Sequence, residues 1–181
     1  MNKKRFLVGR IGQVWVETVI YTLISFSLMG LVLAFVIPKI QENQDRGIIE
    51  QSIVVLQNID SLIRNLGGPG NQRLLELGIN KGTMTIDAQN DKIFFNLESR
   101  YQYSQPGETV NVGKITVQEE KKGNINILNL TLNYSGNYNL TYQGLKGTKA
   151  ITASSVPYSI SISGVGQDNS GKPIVNIEVI K

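Results

Sequence analysis

Residues 18–38, TVIYTLISFSLMGLVLAFVIP, decide how the rest of this chain is read. They hold 21 consecutive positions without Asp, Glu, Lys or Arg, and 19–37 is dominated by Val, Ile, Leu, Phe and Met. At ~1.5 Å per helical residue, about 20 such residues match the ~30 Å hydrocarbon core of a bilayer. A buried helix of a water-soluble fold rarely runs this far without a polar stripe. The stretch therefore reads as a membrane span over about 18–38.

Charge on either side gives the orientation. Lys3, Lys4, Arg5 and Arg10 lie in residues 1–12 with no acid among them, and the other 14 of the 18 basic residues balance the 14 acids. The whole net charge of +4 thus sits in a short leader. Beyond the span, residues 39–50 carry only Lys39 and Arg46 against Glu42, Asp45 and Glu50. Basic residues stay on the cytoplasmic side, so the N-terminus is expected inside the cell membrane and the C-terminal domain outside. A nucleic-acid binder would carry its positive charge on the folded domain, and no nucleic-acid partner is expected here. The apolar run ends without paired small residues, so a secretory cut at that end is not expected. Cys and His are both absent, which removes disulfides, thiolate or imidazole metal ligands, thiol nucleophiles and imidazole bases together.

Immediately before the span the order is Arg10-Ile11-Gly12, then Gln13-Val14-Trp15-Val16-Glu17, then the apolar run. Over residues 10–38 this resembles the class III, prepilin-type signal of archaeal type IV pilins and archaellins. The resemblance implies a cut by a prepilin-type signal peptidase between Gly12 and Gln13, on the cytoplasmic side. It also places Glu17 fifth in the mature chain, where the family carries an acidic residue. Ile11 departs from the family, whose leaders often have a charge directly before the glycine. In that family the acid pairs with the new amine of a neighbouring subunit, which here is Gln13 of the next copy. A carboxylate at the head of an apolar helix is costly unless paired, so Glu17 would penalise misregistered subunits. Read alone, Glu17 and Trp15 also suit a helix N-terminus and a membrane interface.

Past Pro38, apolar residues Ile49, Ile53, Leu56, Ile59, Ile63 and Leu66 recur at helical steps, so the helix is expected to continue to 66. Pro38 is expected to kink it or to mark a restart, and Gly47 is a second weak point. Gly67-Gly68-Pro69-Gly70-Asn71 should end it. A helix over 13–66 would measure ~80 Å at ~1.5 Å per residue. The rest reads as strands: 83–87 and 92–97 as a hairpin about Gln89-Asn90-Asp91, then 114–117, then a solvated turn at 119–123. Next come 128–134 and 138–142, read as a hairpin across Ser135-Gly136, and lastly 158–162 facing 175–179.

Three sequons, starting at Asn129, Asn133 and Asn139, are candidate N-glycosylation sites. With 17 Asn and 23 Ser or Thr in the chain, about two sequons arise by chance, so their placement says more than their number. Period-two alternation puts all three asparagines on the polar face of the expected hairpin. Asp87, Asp91, Glu98 and Glu108 show no spacing that makes an acid–base pair, and no serine lies in a nucleophile elbow. The glycine clusters lack the Lys-Ser/Thr of a phosphate loop. An enzyme, a cofactor and a metal are not expected.

The expected fold is α+β: a long N-terminal transmembrane helix followed by an all-β, antiparallel, sandwich-like domain. The expected organisation is a leader over 1–12, a helix over 13–66, a linker over 67–82 and an extracytoplasmic β domain over 83–181. The expected function is a pilin-like subunit. It would lie in membrane lipid before processing and then assemble with copies of itself, or with related pilins, into a surface filament or a secretion or motility machine. The alternative is an uncleaved, membrane-anchored ectodomain for binding or adhesion.

Overall fold

The computed structural model describes residues 10–180, with side chains from Trp15 onward. One helix, α1 (Arg10–Arg64), is followed by ten strands: β1 (Gln72–Leu77), β2 (Thr83–Asp87), β3 (Lys92–Ser99), β4 (Thr109–Val112), β5 (Ile115–Lys122), β6 (Ile125–Asn133), β7 (Asn139–Tyr142), β8 (Thr148–Thr152), β9 (Tyr158–Gln167) and β10 (Pro173–Val179). The chain divides into two compact units that meet between Gln41 and Glu42. The α+β class and the sandwich-like β domain agree with expectation.

In the first unit α1 is helical throughout and runs through Pro38 without a break, so the expected restart does not occur. Proline removes one amide donor and crowds the preceding turn, but the neighbouring helical bonds hold the chain in register. Gly47 likewise leaves the helix unbroken.

In the second unit the strands form two sheets. One has four strands in the order β1-β9-β10-β7, and the other has six in the order β4-β5-β6-β3-β2-β8. Every pairing is antiparallel except β7 with β10. Alternation decides the faces. Ile93, Phe95 and Leu97 of β3, Leu128, Leu130 and Leu132 of β6, and Ile115 and Val117 of β5 are all buried. They join Ile160, Ile162, Val175 and Ile177 of the smaller sheet in one apolar cluster. The helical positions Ile49, Ile53, Leu56, Ile59 and Ile63 belong to the same cluster. A stripe at steps of three and four is the face an amphipathic helix buries, and a fully buried Leu or Ile contributes ~1.5–3 kcal/mol.

Polar contacts fix this stripe in place. Asp45 is buried, and its carboxylate accepts the Lys81 ammonium at 2.5 Å and the Arg100 amide at 2.7 Å. Arg46 pairs with Glu50 at 2.9 Å and lies 5.6 Å from the centre of the Tyr101 ring. Farther along, Asp60 accepts from Arg64 at 2.8 Å and from the Tyr134 hydroxyl at 3.2 Å. Burial, reinforced by the nearby Asp60 charge, drives the Tyr134 hydroxyl far above its usual pKa, so it remains a donor.

Three expectations need correction. Residues 72–77, read as linker, are strand β1, paired with β9 from Gln72↔Ser163 to Leu77↔Tyr158. Its outer positions are mostly exposed, as suits a sheet edge, and this hid the alternation. Residues 119–122, read as a solvated turn, are the second half of β5. There Glu119 is buried, and one of its oxygens accepts the amides of Tyr103 and Ser104 at 3.0 and 2.6 Å. A charged residue can enter a sheet interior when backbone donors meet it. Finally, β6 and β7 do not form a hairpin. β6 pairs with β3 and β5 in the larger sheet, whereas β7 runs parallel to β10 in the smaller one.

Candidate functional site

Two features carry the functional reading, the apolar part of α1 and the sequon region. From Trp15 to Ile40 every large apolar side chain is exposed, with Trp15 at 73%, Phe26 at 66% and Phe35 at 72%. The most apolar 18-residue stretch is long enough to cross a membrane and buries none of its residues within the chain. A soluble monomer rarely leaves such a surface uncovered, and the helix is compatible with anchoring in a membrane. The Thr22 hydroxyl donates to the Thr18 carbonyl at 2.7 Å, the back-bond that apolar helices use for hydroxyls.

Glu17 lies within this helix and is exposed. Gly12 and Gln13 have helical backbone, while the leader over 1–9 lies outside the described residues and the side chains of 10–14 are likewise not described. The geometry of the expected cut is therefore not on view, whereas the setting of Glu17 is: a carboxylate on an otherwise apolar, uncovered helix.

The three sequons fall into three different settings. Asn129 is half-buried in mid-β6, between Gln118 and Asn96 of the flanking strands, and its carbonyl oxygen accepts the Thr131 hydroxyl at 3.2 Å. Asn133 ends β6 and is exposed. Its carbonyl oxygen accepts both the Ser135 amide at 3.1 Å and the Ser135 hydroxyl at 2.8 Å. Asn139 opens β7 in the other sheet, so it does not share a hairpin face with the first two. It is half-buried, its amide nitrogen donates to Asp168 at 3.0 Å, and its carbonyl oxygen is buried without a partner.

Two of the acids that sequence spacing left unpaired, Asp87 and Asp91, serve as local braces, and so does Asp168. Asp87 accepts the amides of Gln89 and Asn90 and the Asn90 side chain at 2.7 Å, and these bonds lower its pKa. Asp91 has φ of 52°, in the left-handed region that Asp tolerates better than most residues. Its side chain accepts the Leu140 amide at 2.8 Å and Lys146 at 2.6 Å, which joins the β2–β3 turn to β7. Asp168 holds the β9–β10 turn through the Ser170 hydroxyl and amide and the Lys172 amide. These bonds, led by Ser170 and Asn139, lower its pKa strongly. This bracing role was not read from the sequence, although Asp at the head of each turn is the signal that could have shown it.

Compared with known proteins, the chain matches no family model, no curated protein and no solved structure at a significant level.

Proposed function

We propose that this protein is a type IV pilin-like structural subunit, held in the cell membrane by α1 until its leader is removed after Gly12. Its apolar helix then packs among copies of itself, or of related pilins, in a surface filament or a related secretion or motility machine. The observation that carries this reading is the uncovered apolar surface from Trp15 to Ile40 with one carboxylate, Glu17, near its start. A helix used only as an anchor gains from this acid no more than a favourable interaction with its N-terminal dipole. A helix that must find the right neighbour gains more, because an unpaired carboxylate in apolar surroundings is costly and a paired one is not. The four positive charges of the leader oppose withdrawal from the cytoplasmic face, which gives their removal a purpose. The β domain, braced on the second part of the helix, supplies the outer surface and no chemistry.

Replacing Glu17 with Gln in the protein's own cells tests the reading. Filaments, counted by electron microscopy, should be lost or reduced at least tenfold while membrane levels of the unassembled chain stay normal. Normal filament numbers would contradict it and leave a tethered outer domain.

A further inference from the structure

Each sequon presents its amide differently, and only one presents it to an incoming enzyme. Transfer of a glycan to asparagine forms a bond between the side-chain nitrogen and the anomeric carbon of a sugar. The bond from that carbon to a phosphate oxygen breaks, its electron pair leaves with the phosphate, and the amide proton passes to a base of the transferase. The donor is a polyprenyl-phosphate- or polyprenyl-diphosphate-linked glycan. The acceptor must offer an accessible Nδ2 and a +2 hydroxyl on the same side.

Asn133 meets both conditions. It lies at the strand end, its Oδ1 is held by the amide and hydroxyl of Ser135 in an Asx turn, and its Nδ2 makes no hydrogen bond among the described residues. Asn133 also borders a cavity of about 320 Å³ that is lined by Asp60, Arg64, Lys114, Asn137 and Tyr138 among others, which leaves open space beside its side chain. Asn139 fails on both counts, because its Nδ2 is bonded to Asp168, and the hydroxyl of its +2 residue, Thr141, is bonded to Asn176 at 3.1 Å instead of to the asparagine. Asn129, like Asn133, has its +2 hydroxyl, that of Thr131, bonded to its Oδ1, but it is half-buried in an extended strand with a neighbour on each side, which leaves its amide less accessible than that of the exposed Asn133. We infer that Asn133 is the glycan acceptor of this protein, occupied above Asn129, with Asn139 left bare. This rests on the outer domain facing away from the cytoplasm.

All three sequons fall in one peptide, residues 123–146, between Lys122 and Lys146. Protein isolated from its own cells is digested with trypsin, and this peptide is fragmented by electron transfer to locate any added mass. The N-terminal peptide is read from the same digest. The expected result is a hexose- or hexosamine-type increment on Asn133, lost in Ser135→Ala and kept in Ser135→Thr. A bare Asn133, or occupancy of Asn139 or Asn129 equal to or above it, overturns the proposal. If the chain begins at Gln13 while Asn133 is bare, the acceptor assignment fails alone. If Met1 or Asn2 begins the chain, the filament reading fails, and the fragment spectrum still decides the acceptor independently.

Discussion

The two parts of α1 are built from the same kinds of side chain and behave oppositely. From Trp15 to Ile40 the Leu, Ile, Val and Phe residues are exposed on every side of the helix. After Glu42 most of them fall on one stripe, with Val54 the exposed exception, and Ile49, Leu56 and Ile63 are almost wholly buried. The difference lies in what separates the apolar residues. From 18 to 38 nothing charged intervenes, so no face is reserved for water. From 42 to 64 Glu42, Arg46, Glu50, Gln51, Gln57 and Arg64 occupy the remaining faces. Composition thus leaves one part of the helix apolar on every side and exposed, and commits the other to the chain's own core.

Truncating one leucine in each part gives the sharpest contrast. Leu56→Ala should destabilise the β domain by roughly 2–5 kcal/mol, since Leu56 is 0% exposed and its removal leaves a cavity. Leu28→Ala should leave the unfolding of that domain unchanged, because Leu28 is 59% exposed and belongs to the other compact unit. Denaturant unfolding of the full chain in detergent, followed by tyrosine fluorescence, reads both. Equal losses would erase the contrast.

Glycine provides a second comparison. Gly82 has φ of +90°, and a Cβ there would lie 2.5 Å from the Asn96 carbonyl oxygen and 2.8 Å from the Phe95 ring. Gly82→Ala should therefore cost roughly 1–3 kcal/mol from backbone strain, with the clash adding to it. Gly30 has nothing within 4 Å of a built Cβ, so Gly30→Ala should leave the domain's melting temperature unchanged. A silent Gly82→Ala would show that the β2 entry is less constrained than its geometry implies.

The smallest effect is one of pH and belongs to the β domain alone. The carboxyls of Asp87 and Asp168 ionise at lower pH folded than unfolded, owing first to the side chains of Asn90 and Ser170, respectively. The unfolded state then binds more protons in that window, so stability rises with pH there. Their contribution is complete above the ordinary carboxylate range and is lost as pH falls through the depressed folded values. Melting temperature should thus drop on acidification below about pH 4, and Asp87→Asn with Asp168→Asn should flatten that drop. An unchanged acid limb in the double variant would mean that other carboxylates carry it.

Much of this was readable from residues, and what was not has a common cause. The long apolar helix, the buried helical stripe and the β2–β3 hairpin rest on local periodicity and a local turn, which the sequence carries directly. The partner of β7 does not. Alternation continues from Leu132 to Leu140, but Tyr134 donates its amide to Asp91, and Asn137 and Tyr138 fold back on the Tyr134 carbonyl. That knot turns the chain into the other sheet, and period two fixes a face without naming a neighbour. Glu119 was misread for a similar reason. Its burial depends on the amides of Tyr103 and Ser104, about fifteen residues away. In the candidate site, Asn139 read as outward until Asp168, 29 residues on, was seen to hold it.

The most direct measurement is the mass of the N-terminal peptide of the protein taken from its own membrane or from filaments shed by its cells. A chain beginning at Gln13, with Glu17 fifth, is the predicted result, and the processed form should be enriched in the filament fraction. A chain that still begins at Met1 or Asn2 in every fraction would contradict the release of the apolar helix and assign it to permanent anchorage.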